Sequence, residues 1–265
     1  MYNSESSPVL TNVLMSGNQA DRGGGMYNTF SGYPTLFNVT VSGNRALLPD
    51  QDSGGGILND NDGALKLVNG VVWGNLWLDS PSQIANMYGG SAVVGTSIVQ
   101  GGYTGTGNFD ADPLFVAPIS ATLAPTTSGN HRLRYGSPAI NVGTALSFAT
   151  NVDLAGLPRV AAGTVDRGAY EAQIFAVVTL DGNGLGSVTS NPSGLACPAG
   201  LCAQDYVSGT VVTLTAAANP ASAFTGWSGA VVTTANSAAL PMTTTRSVIA
   251  TFITHKTYLP LVLRQ

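Results

Sequence analysis

Acidic and basic side chains are scarce in this chain, so the few that stand near one another are the first candidates for chemistry. Asp110 and Asp112 are two residues apart, a spacing that on a strand turns both carboxylates to one side, and His131, Arg132 and Arg134 follow downstream. Carboxylates beside a basic residue on a solvent-facing sheet are what a polysaccharide lyase or glycoside hydrolase would need, but a glycosidase also requires two carboxylates facing each other across the substrate. No acidic residue recurs at a fixed interval along the chain. Asp50, Asp52, Asp60 and Asp62 cluster between apolar runs, which suits solvated bends or at most a weak calcium site. His131 and His255 are remote, no Ser-His-Asp constellation is apparent, and Gly105-Thr106-Gly107 lacks the rest of any nucleotide fingerprint. No catalytic residue, metal site or cofactor is therefore assigned, calcium being the one ion the aspartates would admit.

Two other residue types can recognise a ligand or lock a loop. Tyr27, Tyr33, Trp73 and Trp77 lie among polar and Gly-rich residues and are candidates for stacking on sugar rings of a polysaccharide or other cell-surface polymer. Trp227 either does the same or fills a core behind Phe224. The two cysteines, Cys197 and Cys202, enclose Pro198-Ala199-Gly200-Leu201. A disulfide is expected there, since a metal would need ligands that the neighbouring sequence does not offer.

The elements that position these residues come from a repeat. Gly23-Gly24-Gly25-Met26-Tyr27-Asn28 leads into Thr35-Leu36-Phe37-Asn38 and on to Gly43-Asn44, and Gly54-Gly55-Gly56-Ile57-Leu58-Asn59 leads into Lys66-Leu67-Val68-Asn69 and on to Gly74-Asn75. Met1-Tyr2-Asn3, Thr11-Asn12 and Gly17-Asn18 reproduce the unit without its glycines. Self-similarity at about thirty residues, with short apolar runs broken by Gly and Asn and no helical period, indicates a β-solenoid. Stacking of coils places Asn12 with Asn38 and Asn69, and Asn18 with Asn44 and Asn75, as amide ladders in sharp bends. Leu36, Val39 and Val41 fill the narrow interior. A further coil is expected over residues 84–102 on Val93, Val94, Ile98 and Val99. Because the repeat is already under way at Met1, a longer parent with earlier coils and an export signal is expected.

Composition agrees with an exported β protein. Of 265 residues 33 are Gly, 9% are charged, and the net charge is −4. Nucleic acid is excluded as a partner, because it demands a basic face, and no apolar run is long enough to span a bilayer.

Past the coils stand Asp110-Ala111-Asp112-Pro113-Leu114-Phe115, Gly136-Ser137-Pro138-Ala139-Ile140-Asn141, Asp153-Leu154-Ala155-Gly156-Leu157-Pro158-Arg159 and Asp166-Arg167-Gly168-Ala169-Tyr170-Glu171. With these phrases residues 1–172 resemble right-handed parallel β-helix repeat proteins of the choice-of-anchor Q type. The resemblance implies an exported solenoid closed by a cap, here residues 137–171, laid over the last coil and held by Asp153, Arg159, Asp166, Arg167 and Glu171.

Residues 173–254 read as a second unit of short strands with turns such as Asp181-Gly182-Asn183-Gly184. Gly186-Ser187-Val188-Thr189-Ser190-Asn191-Pro192, Phe224-Thr225-Gly226-Trp227-Ser228-Gly229 and Ser247-Val248-Ile249-Ala250-Thr251-Phe252 resemble repeat domains of secreted bacterial proteins. A tail, residues 255–265, carries Tyr258-Leu259-Pro260-Leu261-Val262 and is either an envelope-anchoring signal or an end lying on the second unit.

The expected protein is all-β: a right-handed parallel β-helix (solenoid), then a small antiparallel β-sandwich-like module. Its expected role is non-catalytic, at the cell surface or outside the cell, in adhesion or polymer binding. The competing reading is a fragment of a lyase or hydrolase on a β-helix scaffold.

Overall fold

The computed structural model describes residues 1–49, 53–146 and 151–255. The chain divides into two compact units, Met1–Ala172 and the part from Gln173 onward. The first is a β-solenoid of about four turns. Sheet 1 stacks Tyr2–Ser4, Met26–Thr29, Ile57–Asn59 and Ile84–Asn86, and sheet 2 stacks Val9–Thr11, Thr35–Phe37, Ala64–Val68 and Ser91–Gly95. Sheet 3 stacks Leu14–Ser16, Thr40–Ser42, Val71–Trp73 and Ile98–Val99. Sheet 4 stacks Gln19–Ala20, Arg45–Ala46 and Leu76–Trp77 and closes on the antiparallel Ser80–Pro81.

Register follows from side-chain alternation, because one residue of slip would turn every apolar group outward. Leu10, Leu36, Leu67 and Val94 form one inward row, and Met15, Val41, Val72 and Val99 another. The neighbouring outward row holds Val9, Thr35, Lys66 and Val93. Val93 is therefore not an interior residue as expected but 71% exposed, since Val93 and Val94 are consecutive and only one can face in.

Residues 113–172 do not sit as a lid over the last coil. They touch it through Arg167, whose Nη1 donates to the Ser97 carbonyl, and through Thr144 and Thr96. They also run along the flank of the earlier coils as a strap. The Gly168 N–H donates to the Asn69 carbonyl, the Ala169 N–H to Thr40 Oγ1, Asn12 Nδ2 to the Val152 carbonyl, and the Thr126 N–H to the Gly17 carbonyl. The reason is sheet 3, which carries Thr40, Val71 and Ile98 on its outer side and must bury that face too. Gly168, at φ +95°, lies close against this face: a Cβ there would stand 2.7 Å from Thr40 Oγ1.

The second unit has two four-stranded sheets. One runs Leu201–Tyr206, Ile174–Gly182, Arg246–Thr254, Ser222–Gly229, and the other Ala196–Cys197, Gly186–Asn191, Val211–Ala218, Ser237–Pro241. Pairing is antiparallel except between Ile174–Gly182 and Arg246–Thr254. Val178, Val188, Leu214, Leu240 and Phe252 from both sheets, with Met242 just past Ser237–Pro241, form the core. Trp227 belongs to it, 3% exposed, with its indole N–H donated to the Ala235 carbonyl. The Cys197–Cys202 disulfide ties the first strand of the second sheet to a strand of the first.

Candidate binding surface

A surface built on coils is only as ordered as the contacts between coils. Asn18 Nδ2 donates to Asn44 Oδ1, Asn44 Nδ2 to Asn75 Oδ1 and Asn75 Nδ2 to Gln83 Oε1, at 2.8, 2.8 and 2.9 Å. Gln83 ends this ladder in place of a fourth Asn. At the bend between sheets 2 and 3, Asn12, Asn38 and Asn69 all hold φ between 53° and 56°. Here Asn69 Nδ2 donates to Asn38 Oδ1, while Asn12 Nδ2 turns to the strap at Val152. Asn69 also exchanges two hydrogen bonds with Thr144 of the strap. A third ladder escaped the sequence reading: Asn3, Asn28, Asn59 and Asn86 link amide to amide and end on the Tyr103 hydroxyl. Its signal was present, since Asn closes each Gly-Gly-Gly phrase.

Two residues beyond each Asn of this third ladder the chain bends from sheet 1 to sheet 2. The bend residue is Glu5, Phe30, Asn61 and Tyr88 in successive coils, with φ of 50°, 48°, 46° and 42°. Backbone hydrogen bonds from Glu5 to Phe30, Ser31 to Asn61 and Asp62 to Tyr88 stack these bends in a column. Phe30 and Tyr88 are 54% and 65% exposed, and Tyr33 is exposed beside Phe30.

The four aromatics singled out in the sequence do not converge. Tyr27 lies on sheet 1, packed edge-on against Tyr2, and donates its hydroxyl to Asp60 Oδ2 at 2.9 Å. Tyr33 lies just past the bend. Trp73 is half-buried on sheet 3, and Trp77, on sheet 4, donates its indole N–H to the Leu48 carbonyl.

Asp110 and Asp112 are exposed but lie outside any strand, and Asp112 Oδ1 accepts the Leu114 N–H in a local turn ahead of the next strand. His131 is buried against Phe115, and burial holds it down to about 4. Arg132 sits over the Tyr170 ring and Arg134 donates to the Val116 carbonyl. Asp60 is buried between Tyr27 and Arg22, and Asp62 is exposed. Asp50, Asp52 and the tail from 256 onward lie outside the described residues. Among the described residues no three His, Cys, Asp or Glu side chains gather where a metal ion could sit, and no helix is long and apolar enough to cross a membrane.

Asp153, Arg159, Asp166 and Glu171 form one buried cluster inside the strap. Asp153 accepts the N–H groups of Ala155, Leu157 and Glu171, Asp166 those of Asn141 and Ala172, and Glu171 that of Asp166. Arg159 Nη2 donates to the carbonyls of Asp166 and Gly168. Burial pushes Asp166 up to about 6 and, reinforced by the Asp166 charge, Glu171 up to about 8. These groups bond to the strap's own backbone, which is a positioning role. Arg167 stands apart from them, stacked on Phe109.

A β-solenoid followed by a two-sheet module is the architecture of a repeat protein. Residues 177–256 match the family model described as a divergent InlB B-repeat domain, a bacterial repeat. No curated protein and no solved structure matches the chain. The repeat domain and the disulfide are consistent with an extracellular protein.

Proposed function

We propose that the chain is a non-catalytic protein of the cell surface or extracellular space whose solenoid is a rigid shaft that holds polysaccharide or another surface polymer on its outer faces. The observation that carries this reading is outward display on an internally bonded scaffold. Amide ladders fix one coil against the next, while the bend between sheets 1 and 2 turns large aromatic side chains to solvent. Polymer recognition suits such a shaft, because its repeat presents similar groups at a constant spacing along one axis. The resemblance of residues 1–172 to the choice-of-anchor Q type supports surface attachment, with the second unit in the role of spacer or anchor.

A glycan array and a pull-down on insoluble polysaccharides test the reading. Retention of the chain on at least one polymer, with no unsaturated or reducing ends released from pectin or alginate, is the expected result. A blank array sinks it.

A further inference from the structure

Phe30 and Tyr88 occupy backbone that their side chains disfavour. Left-handed φ is natural for Gly and Asn, and for a bulky residue it is an outlier that the surrounding structure must hold in place. The equivalent residues of the first and third coils are Glu5 and Asn61, and of the four only Asn61 favours this backbone. Neither aromatic is repaid by the core, as both are more than half exposed. Two exposed aromatics thus occupy the same position of two coils.

The geometry of the column limits what they can hold. Neighbouring strands in a sheet lie about 4.8 Å apart, so Phe30 and Tyr88, two coils apart, stand about 10 Å from each other along the solenoid axis. The residues between them are polar: Ser31, Asn61 and the exposed Asp62. A protein partner would ask for a contiguous apolar centre. A sugar chain asks for separated aromatic faces against its C–H surfaces and hydrogen-bonding groups between them.

Resting on the polymer-binding reading above, we infer that Phe30 and Tyr88 form a two-point platform for an extended glycan, with the sugar chain lying parallel to the solenoid axis. Phe30 and Tyr88 each take one ring, Asn61 and Asp62 meet the hydroxyls between them, and Tyr33 widens the platform at Phe30. The ligand class is an extended, equatorially linked oligosaccharide long enough to reach both aromatics.

Calorimetric titration with β-1,4-linked glucose and N-acetylglucosamine oligosaccharides, from dimer to hexamer, tests this on the whole chain. Affinity should rise sharply at the length that first spans both rings. Phe30→Asn and Tyr88→Asn should each weaken binding about tenfold and, by relieving the backbone, keep or raise the melting temperature, so that a loss of binding is not a loss of fold. Leu123→Ala, an exposed apolar change on the strap, should bind as the parent does. Parent-like binding by the Phe30→Asn/Tyr88→Asn double variant overturns the platform while leaving polymer binding intact. No oligosaccharide or polysaccharide binding by the parent chain overturns both, as does capture of a proline-rich peptide in place of sugars.

Discussion

Asn75 Oδ1 accepts two hydrogen bonds from Asn44, one from Nδ2 at 2.8 Å and one from the backbone N–H at 3.0 Å. Asn44 Oδ1 in turn accepts from the Asn18 Nδ2 and backbone N–H in the same way, and Asn44 Nδ2 also donates to the Met15 carbonyl at 2.8 Å. One amide thus bonds its coil to the coils on both sides of it, with no water available to replace it at a fully buried site.

Asn44→Ala is expected to cost the solenoid about 2 to 4 kcal/mol, because it strands buried donors and acceptors on both sides and opens a cavity. The measurement is the urea midpoint of the solenoid transition. A change below about 0.5 kcal/mol would show that the ladder contributes nothing beyond turn geometry.

The strap makes a separate prediction. Gly168 combines φ +95° with a close approach to Thr40 and Val71, so Gly168→Ala brings both backbone strain and a clash. The N–H bonds from Gly168 to Asn69 and from Ala169 to Thr40 are then lost together. Faster proteolysis within residues 137–171 is expected, with the coil core still protected. Parent-like digestion would mean the strap is held elsewhere.

Glu171 makes stability depend on pH. Its folded value is pushed up to about 8 from a usual 4.5, so between these values the folded chain keeps a proton that the unfolded chain releases. Stability contributed by this proton is full below pH 4.5 and lost as pH rises through 8, at no more than about 1.4 kcal/mol per pH unit. His131, held down to about 4, acts oppositely but only below about pH 6.5. The Met1 amine, lowered by burial, also acts oppositely near neutrality. Comparison with Glu171→Gln isolates the effect: the parent's advantage in chemical denaturation should shrink between pH 6.5 and 8. Parallel curves for the two proteins would place the proton elsewhere.

What was legible in the sequence tracks where physics leaves a residue-type signature. Repeated Asn in left-handed bends is such a signature, and the phrases at Asn38 and Asn69 specify register directly. The strap's course was not legible, because several of its contacts end on backbone carbonyls, such as those of Asn69, Gly17 and Ser97, which any residue supplies. Strand Leu201–Tyr206 carries no strand signature in the sequence, because four consecutive residues are half-buried and no alternation marks it. Phe30 and Tyr88 escaped notice as a pair because aromatic residues do not announce left-handed backbone, and only the stacked coils show that they share one position.

The disulfide supplies the last prediction. Cys197 pairs its strand with Gly186–Asn191, whereas Cys202 lies opposite Val178 in the facing sheet, so a cross-link between residues five apart in sequence joins both layers of the second unit. A loop this short restricts the unfolded chain only modestly, which sets the stabilisation at about 2 kcal/mol. Cys197→Ala/Cys202→Ala should lower the second unit's urea midpoint accordingly and leave the solenoid's unchanged. Dithiothreitol should reproduce the shift in the parent and do nothing to the double variant. If reductant destabilises the solenoid as well, the two units do not unfold independently, and assigning the effect to the link between Cys197 and Cys202 fails.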